Sequence, residues 1–451
     1  MPDPRLGTPD QLRDPDHTPP LARAIPLGIQ HVLAMFVANV TPAIILATAA
    51  GFGFGSPDAS ALVYLIQMSI LFAGVATLIQ TIGLGPVGAR LPLVHGTSFA
   101  FVPVMVPLVA GQGVQAMAMI TGGVLVGAMV HVALSPVIGR LRFALPPLVT
   151  GLVVLMIGLS LLRVGIQYAA GGAAAAGTQA YGALRGWGVA LAVVGVTLAV
   201  TFFGRGIWSV AAVLIGLAAG YALAFALGMV DLSGIGAAAW VATPQPLRFG
   251  LSFSVAAGLG FAMMAVVSAI ETVGDVSGVT RAGAGRAPST PEIVGATYGN
   301  GVGTLLAGLF GALPNTSFSQ NTGLIAMTGV MSRHVVTIGA LFLILCGFVA
   351  KIGAVIGTVP IEVLGGGVIV MFGMVCAAGI SILSDVRWTR RNMVILAVSL
   401  SLGFGLQLEP AALQHLPETA RVLLATGLLP AAAIAITLNL ALPPDSPPEA
   451  P

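Results

Sequence analysis

Apolar runs of bilayer-crossing length recur along this chain and leave it few folds other than a membrane bundle. A spanning helix needs about 20 mostly apolar residues. Such runs fall at 27–50, 60–84, 93–110, 114–136, 146–164, 187–204 and 208–230. Seven more follow at 251–274, 295–313, 315–330, 334–357, 360–382, 393–407 and 420–441. The runs at 146–164 and 393–407 are short and read as tilted or partly re-entrant. Only 7% of residues are charged and the mean hydropathy is +1.01, where a soluble domain carries roughly 25% charged residues. The expected fold class is an all-α polytopic membrane protein, embedded in a lipid bilayer. A net charge of +3 gives no reason to expect a nucleic-acid partner. Cys346 and Cys376 lie inside apolar runs and read as packing residues. Residues 1–25 and 442–451 are polar or proline-rich and read as disordered tails.

Fourteen runs make two sets of seven. An odd number of spans per set forces the two halves into opposite orientations, so the repeat is inverted. With the N-terminus inside, the even-numbered loops hold Arg90, Arg140, Arg142, Arg205, Arg281, Arg286, Arg333, Arg387, Arg390 and Arg391. The odd-numbered loops and nearby span ends hold Arg163, Arg185, Arg248, Lys351 and Arg421. This bias places both termini in the cytoplasm.

Two runs are interrupted. Pro314-Asn315-Thr316-Ser317-Phe318-Ser319-Gln320-Asn321-Thr322-Gly323 brings polar side chains to membrane depth, and Thr97-Ser98-Phe99 matches its Thr316-Ser317-Phe318. Irregular backbone at that depth is tolerated only where protein buries it or it lines a cavity. Corresponding breaks in two halves point to a transporter's binding site. A half-helix starting near Asn321 would aim its free N–H groups at polar ligand atoms.

Glu271 and Asp275 stand at i, i+4 spacing, on one helical face, at the end of an otherwise uncharged run. A carboxyl within a span is costly and marks a substrate or ion path, unless both acids form a solvated helix end. His31 lies in the first run, where a hydrogen-bonded structural role is the ordinary reading. No second His or Cys stands at metal-ligand spacing, and no nucleophile–base pattern, P-loop or dinucleotide motif is present, so neither an enzyme nor a metal site is expected. Asn300 and Lys351 fall in or at the ends of spans, where either can cap or snorkel.

With these residues in place, the chain resembles the nucleobase–ascorbate transporters, the nucleobase:cation symporter family, and among them the bacterial xanthine permeases. The family signature stands here as Gln320-Asn321-Thr322-Gly323-Leu324-Ile325-Ala326-Met327-Thr328-Gly329, continuing through Val330-Met331-Ser332-Arg333. The resemblance extends through Gln30-His31, Val40-Thr41-Pro42-Ala43, the stretch 153–160 and Glu271-Thr272-Val273-Gly274-Asp275. It implies fourteen spans as an inverted seven-plus-seven repeat. A core domain would take 26–136 and 251–357, and a gate domain 146–230 and 360–441. Each broken span would supply a short strand and a half-helix around the base.

Carried over by position, Glu271 and Gln320 would hydrogen-bond the base, with the backbone at Phe99 and Ser319 completing the site and Ser98 beside it. His31, Asp275 and Asn321 would support the site or couple transport. Gln320, where uracil carriers usually have Glu, points to an oxidised purine such as xanthine or urate. The implied activity is proton symport by elevator-type alternating access in the cytoplasmic membrane, without a cofactor, with sodium the lesser candidate, in a homodimer. Family members often carry an acid at the position of Asn300, and some xanthine carriers have Asn at the position of Ser98. The rivals are a uracil or other nucleobase carrier and a sulfate- or bicarbonate-type anion carrier.

Overall fold

The computed structural model describes residues 6–53, 56–141, 146–232, 235–236 and 239–443. The tail ends at 1–5 and 444–451, and Arg142, lie outside the described residues. In chain order the elements are α1 (Pro9–Arg13), α2 (Leu21–Ala50), α3 (Ala59–Ile82), β1 (His95–Thr97), α4 (Val102–Val109) and α5 (Met117–Leu134). Next come α6 (Ile138–Leu141), α7 (Pro147–Ala169), α8 (Leu184–Phe203), α9 (Ile207–Val210) and α10 (Ala212–Ala226). The second half opens with α11 (Val255–Val279), which passes into a π-helical turn at Thr280–Ala284. It continues with α12 (Thr290–Leu309), β2 (Asn315–Ser317), α13 (Gln320–Thr328), α14 (Arg333–Phe348) and α15 (Ala350–Ile356). The chain closes with α16 (Ile361–Ser384), α17 (Arg390–Leu408), α18 (Glu418–Ala425) and α19 (Leu428–Ala441).

Among the described residues, 8 helices are long and apolar enough to cross a membrane, or 9 if α18 and α19, bent by 81°, form one span. The other apolar runs lie in helices that are shorter, less apolar or broken, and the break at Val349 has a local cause. The run at 334–357 parts at Val349, which pairs with Val241 of a preceding loop. There Ala242 donates its N–H to the Phe348 carbonyl at 2.8 Å, and Ala350 donates to the Trp240 carbonyl at 3.1 Å. The runs at 146–164 and 393–407 differ from expectation in the other direction. They lie in continuous helices of 23 and 19 residues, α7 and α17.

The N-terminal stretch is a second correction: residues 6–25 are ordered. Thr8 and Gln11 form a capping box that starts α1. Leu6 and Leu12 are buried with Ala24, Val330 and Val335. Met331 donates its N–H to the Leu12 carbonyl at 2.8 Å, and Arg333 bridges Asp16 at 2.5 Å. Composition misjudges this segment because its partners stand more than 300 residues away in sequence.

By compactness the chain forms two units, one of Met1–Gly139 and Val164–Met371, the other of Arg140–Arg163 and Phe372–Pro451. In the first, α3 and α2 pack on α14, while α5 packs on α11 and α12. Lipid tails are as apolar as these side chains, so close packing rather than water exclusion holds such helices together. At Gly366 of α16 an added Cβ would stand 2.4 Å from the Ala190 carbonyl of α8, so that approach is closed to any larger residue. Val37 of α2 packs with Val189 and Val193 of α8, Leu217 of α10 and Val363 of α16. In the second unit, Gln407 of α17 donates to the Ser160 carbonyl of α7 at 3.1 Å.

Candidate functional site

Backbone polar groups released where a helix breaks need partners at membrane depth. The two interrupted runs supply them to each other. β1 and β2 pair antiparallel, with His95 opposite Ser317, Gly96 opposite Thr316 and Thr97 opposite Asn315. The pairing extends beyond the strands, since Phe318 donates to the Val94 carbonyl at 2.9 Å and Ser98 to the Pro314 carbonyl at 2.8 Å.

Each strand is tied to a helix of its own half by a threonine. The Thr77 hydroxyl of α3 accepts from the His95 N–H at 2.9 Å, and the Thr304 hydroxyl of α12 accepts from the Asn315 N–H at 3.1 Å. The same device serves both strands. Asn39 of α2 adds a clamp, its Oδ1 accepting from the Thr97 N–H at 2.8 Å while its Nδ2 donates to the Ser69 carbonyl at 3.1 Å. Gly96 admits no side chain, because a Cβ there would lie 2.2 Å from Cε2 of Phe318.

The two carboxylates of α11 meet β2 and the turn after it. Glu271, half-buried, accepts from the Thr316 hydroxyl at 3.0 Å. Asp275, 7% exposed, accepts from the hydroxyls of both Ser317 and Ser319. The solvated-helix-end reading of this pair is thereby displaced, since both acids are engaged by hydroxyls of the broken segment.

The residues opening α13 divide in role. Gln320 is exposed, and its side chain makes no hydrogen bond to a described residue. Asn321 is fully buried, with Nδ2 3.0 Å from both Nδ1 and the carbonyl of His31. The backbone departs from expectation here. The N–H groups of Asn321 and Thr322 close turns onto the Phe318 and Ser319 carbonyls at 3.1 and 3.0 Å, so they are not free for a ligand. Phe99 and Ser98 follow β1 directly and are buried, and the Ser98 hydroxyl has no partner among the described residues.

The structure thus gathers Glu271, Asp275 and Ser319 in one cluster, His31 and Asn321 in a second, and Ser98 and Phe99 at the strand ends. Sequence reasoning missed Thr316 and Ser317 as the hydroxyls that serve the acids, although the repeated Thr-Ser-Phe carried that signal. It also missed what Asn300 does. Asn300 of α12 is fully buried and donates to Thr272 at 2.9 Å and Ser268 at 3.3 Å, and the Ser268 hydroxyl reaches Thr316 at 3.4 Å. A neutral amide at this position serves as a donor behind the Glu271 contact. Among the described residues, no group of three or more His, Cys, Asp or Glu side chains could hold a metal ion. Gln320 thus presents an exposed amide that can both donate and accept, directly after Ser319, whose hydroxyl donates to Asp275.

Comparison with known proteins identifies the family. The Uric acid transporter UacT of Escherichia coli (strain K12) is 36% identical over 422 residues, covering 93% of this chain and 86% of that protein. The Xanthine permease XanP of the same strain is 34% identical over 440 residues, covering 95% and 93%. Among solved structures, the transmembrane domain of the cyanobacterium bicarbonate transporter BicA aligns with TM-score 0.57 at 15% identity, over 93% of this chain and 97% of that one. SLC26A9 aligns with TM-score 0.60 at 14% identity, over 85% and 62%. At such identities these two likenesses speak to the fold alone. The Xan_ur_permease family, described as a Permease family, matches residues 22–411. The chain is a multi-pass membrane permease of the Xan_ur_permease family.

Proposed function

We propose that this permease imports an oxidised purine, xanthine or urate, across the cytoplasmic membrane together with protons. The observation that carries the reading is Gln320, an exposed and unengaged amide at the start of α13, in a segment whose hydroxyls hold Glu271 and Asp275. An amide matches both the donor and the acceptor of a lactam edge, and a carboxylate accepts from a ring N–H. Relatives named for xanthine and uric acid align over nearly the whole chain, which supports the same substrate class. A sulfate- or bicarbonate-type anion carrier fits less well, because neither ion offers a lactam edge to Gln320 or a ring N–H to a carboxylate. The proton is the proposed coupling ion, since Glu271 and Asp275 are met by hydroxyl donors rather than arranged as a coordination shell.

Gln320→Glu tests the substrate reading. An acceptor-only carboxylate cannot donate to a purine carbonyl, and an unmatched buried polar group costs about 1–3 kcal/mol. Xanthine should therefore compete about 5- to 150-fold less well in the variant, with the order of competing bases changed. An unaltered competition profile would remove Gln320 from the site.

The family resemblance supports fourteen membrane segments, both termini in the cytoplasm, a homodimer joined through the gate segments, and a core that slides against the gate. Val37 is read as core, and Val193 and Leu217 as gate, and all three share one apolar cluster. In a background without the native cysteines, Val37→Cys combined with Val193→Cys or Leu217→Cys should block uptake when crosslinked and recover on reduction. Full transport by the crosslinked protein would rule out sliding at this surface.

A further inference from the structure

The unit formed by Arg140–Arg163 and Phe372–Pro451 has a cavity of its own, about 600 Å³ in volume. That size lies within the roughly 300–1,000 Å³ of small-molecule sites. Its walls come from the start of α7, the connection from α16 to α17, the first turn of α17 and the end of α19, with Asp385, Arg387, Arg391, Asn392 and Asn439 as the polar lining. Apolar helices begin or end here, so the cavity opens at the level of a membrane surface, on the arginine-rich side read as cytoplasmic.

Its charge is poorly compensated. The Arg391 guanidinium is held by neutral groups, with Nη2 donating to the Asn439 carbonyl at 2.5 Å and Nη1 to Oδ1 of Asn392 at 3.2 Å. Its Nε is buried without a hydrogen-bond partner among the described residues. Neither Arg391 nor Arg387 has a carboxylate within ion-pair distance among the described residues, although Asp385 lines the same cavity. Arg387 is exposed. Beside these charges stand exposed apolar side chains, Met393 at 51%, Val394 at 44% and Leu440 at 54%, together with Trp388 at 45%. Trp is the residue type that settles at the headgroup level. A planar guanidinium matches phosphate oxygens two at a time, and basic pockets between membrane helices on the cytoplasmic side take anionic headgroups.

We propose that this cavity binds the phosphate of an anionic phospholipid headgroup, with Arg387 meeting the phosphate, Arg391 setting the positive field, and the acyl chains lying along Met393, Val394 and Leu440. Such a lipid would join the start of α7, the α16–α17 connection and the end of α19.

The test is native mass spectrometry of the purified full-length protein in micelles doped with phosphatidylglycerol or with phosphatidylcholine, with and without excess inorganic phosphate. Wild type should retain phosphatidylglycerol over phosphatidylcholine. Arg387→Ala should reduce that preference about five-fold, the effect of one basic residue at a membrane surface, and Arg387→Glu should abolish it. Arg387 is exposed, so both variants should fold, and an unchanged melting temperature without added lipid checks this. Inorganic phosphate should not displace the lipid, because it lacks the acyl contacts. Equal retention of the two lipids by wild type, or an intact preference in Arg387→Glu, would overturn the proposal. Full displacement by inorganic phosphate would overturn it too, since the site would then serve a free anion.

Discussion

Glu271→Gln is expected to abolish uphill accumulation of xanthine while leaving downhill exchange in place. The amide keeps the shape of the side chain and an oxygen that can accept from Thr316, which Glu271 meets at 3.0 Å. What it removes is the exchangeable proton. A neutral carboxyl can donate to an acceptor on the base, whereas an ionised one can only accept, so in the proposed proton symport protonation and substrate binding would be linked at this atom. One pH unit is worth about 1.4 kcal/mol, or about tenfold accumulation per proton carried. Wild type should show that ratio across an inward-directed gradient of one unit and lose it with a protonophore, and Glu271→Gln should equilibrate at a ratio near one. If the variant still concentrates xanthine and remains sensitive to the protonophore, coupling resides elsewhere. Asp275, with its two serine donors, is then the first candidate.

The second large effect belongs to Gly96→Ala. The added methyl would stand 2.2 Å from Cε2 of Phe318, 2.7 Å from Cε of Met35 and 2.9 Å from Oδ1 of Asn39. Phe318 is 6% exposed and Met35 and Asn39 are fully buried, so none can move aside into solvent. Overpacking of this kind costs about 1–3 kcal/mol. Here the strain falls on the central pair of the β1–β2 register and on the Asn39 clamp. Initial uptake should drop about ten- to hundredfold, while immunoblots of membranes show near-normal amounts of protein. A wild-type rate would mean that the strand pair tolerates displacement and does not fix the site.

The two breaks and the acids that face them were legible in the sequence because breaking a membrane helix leaves chemical marks. Pro314, the polar run after it and the earlier Thr97-Ser98-Phe99 identify both breaks, and the i, i+4 acids identify the helix facing them. The pairing of the breaks was not legible, since strands of three residues carry too little alternation to reveal a register. Nor was the engagement of Asp275, because its donors Ser317 and Ser319 lie 42 and 44 residues away. Helix continuity was misread in both directions. Hydropathy gives the length of an apolar run, but it does not show that a loop pairs with Val349, or that the chain bends by 81° between α18 and α19. The ordered N-terminal segment escaped for the same reason as the Asp275 contacts. Its stability comes from Val330, Val335 and Arg333, which local composition does not contain.

The most direct test of the central claim is counterflow with the purified protein in proteoliposomes loaded with unlabelled xanthine. Radiolabelled xanthine should enter transiently above its external concentration, with urate competing and with bicarbonate and sulfate without effect. Trans-stimulation by bicarbonate or sulfate, with no counterflow of any purine, would contradict the account.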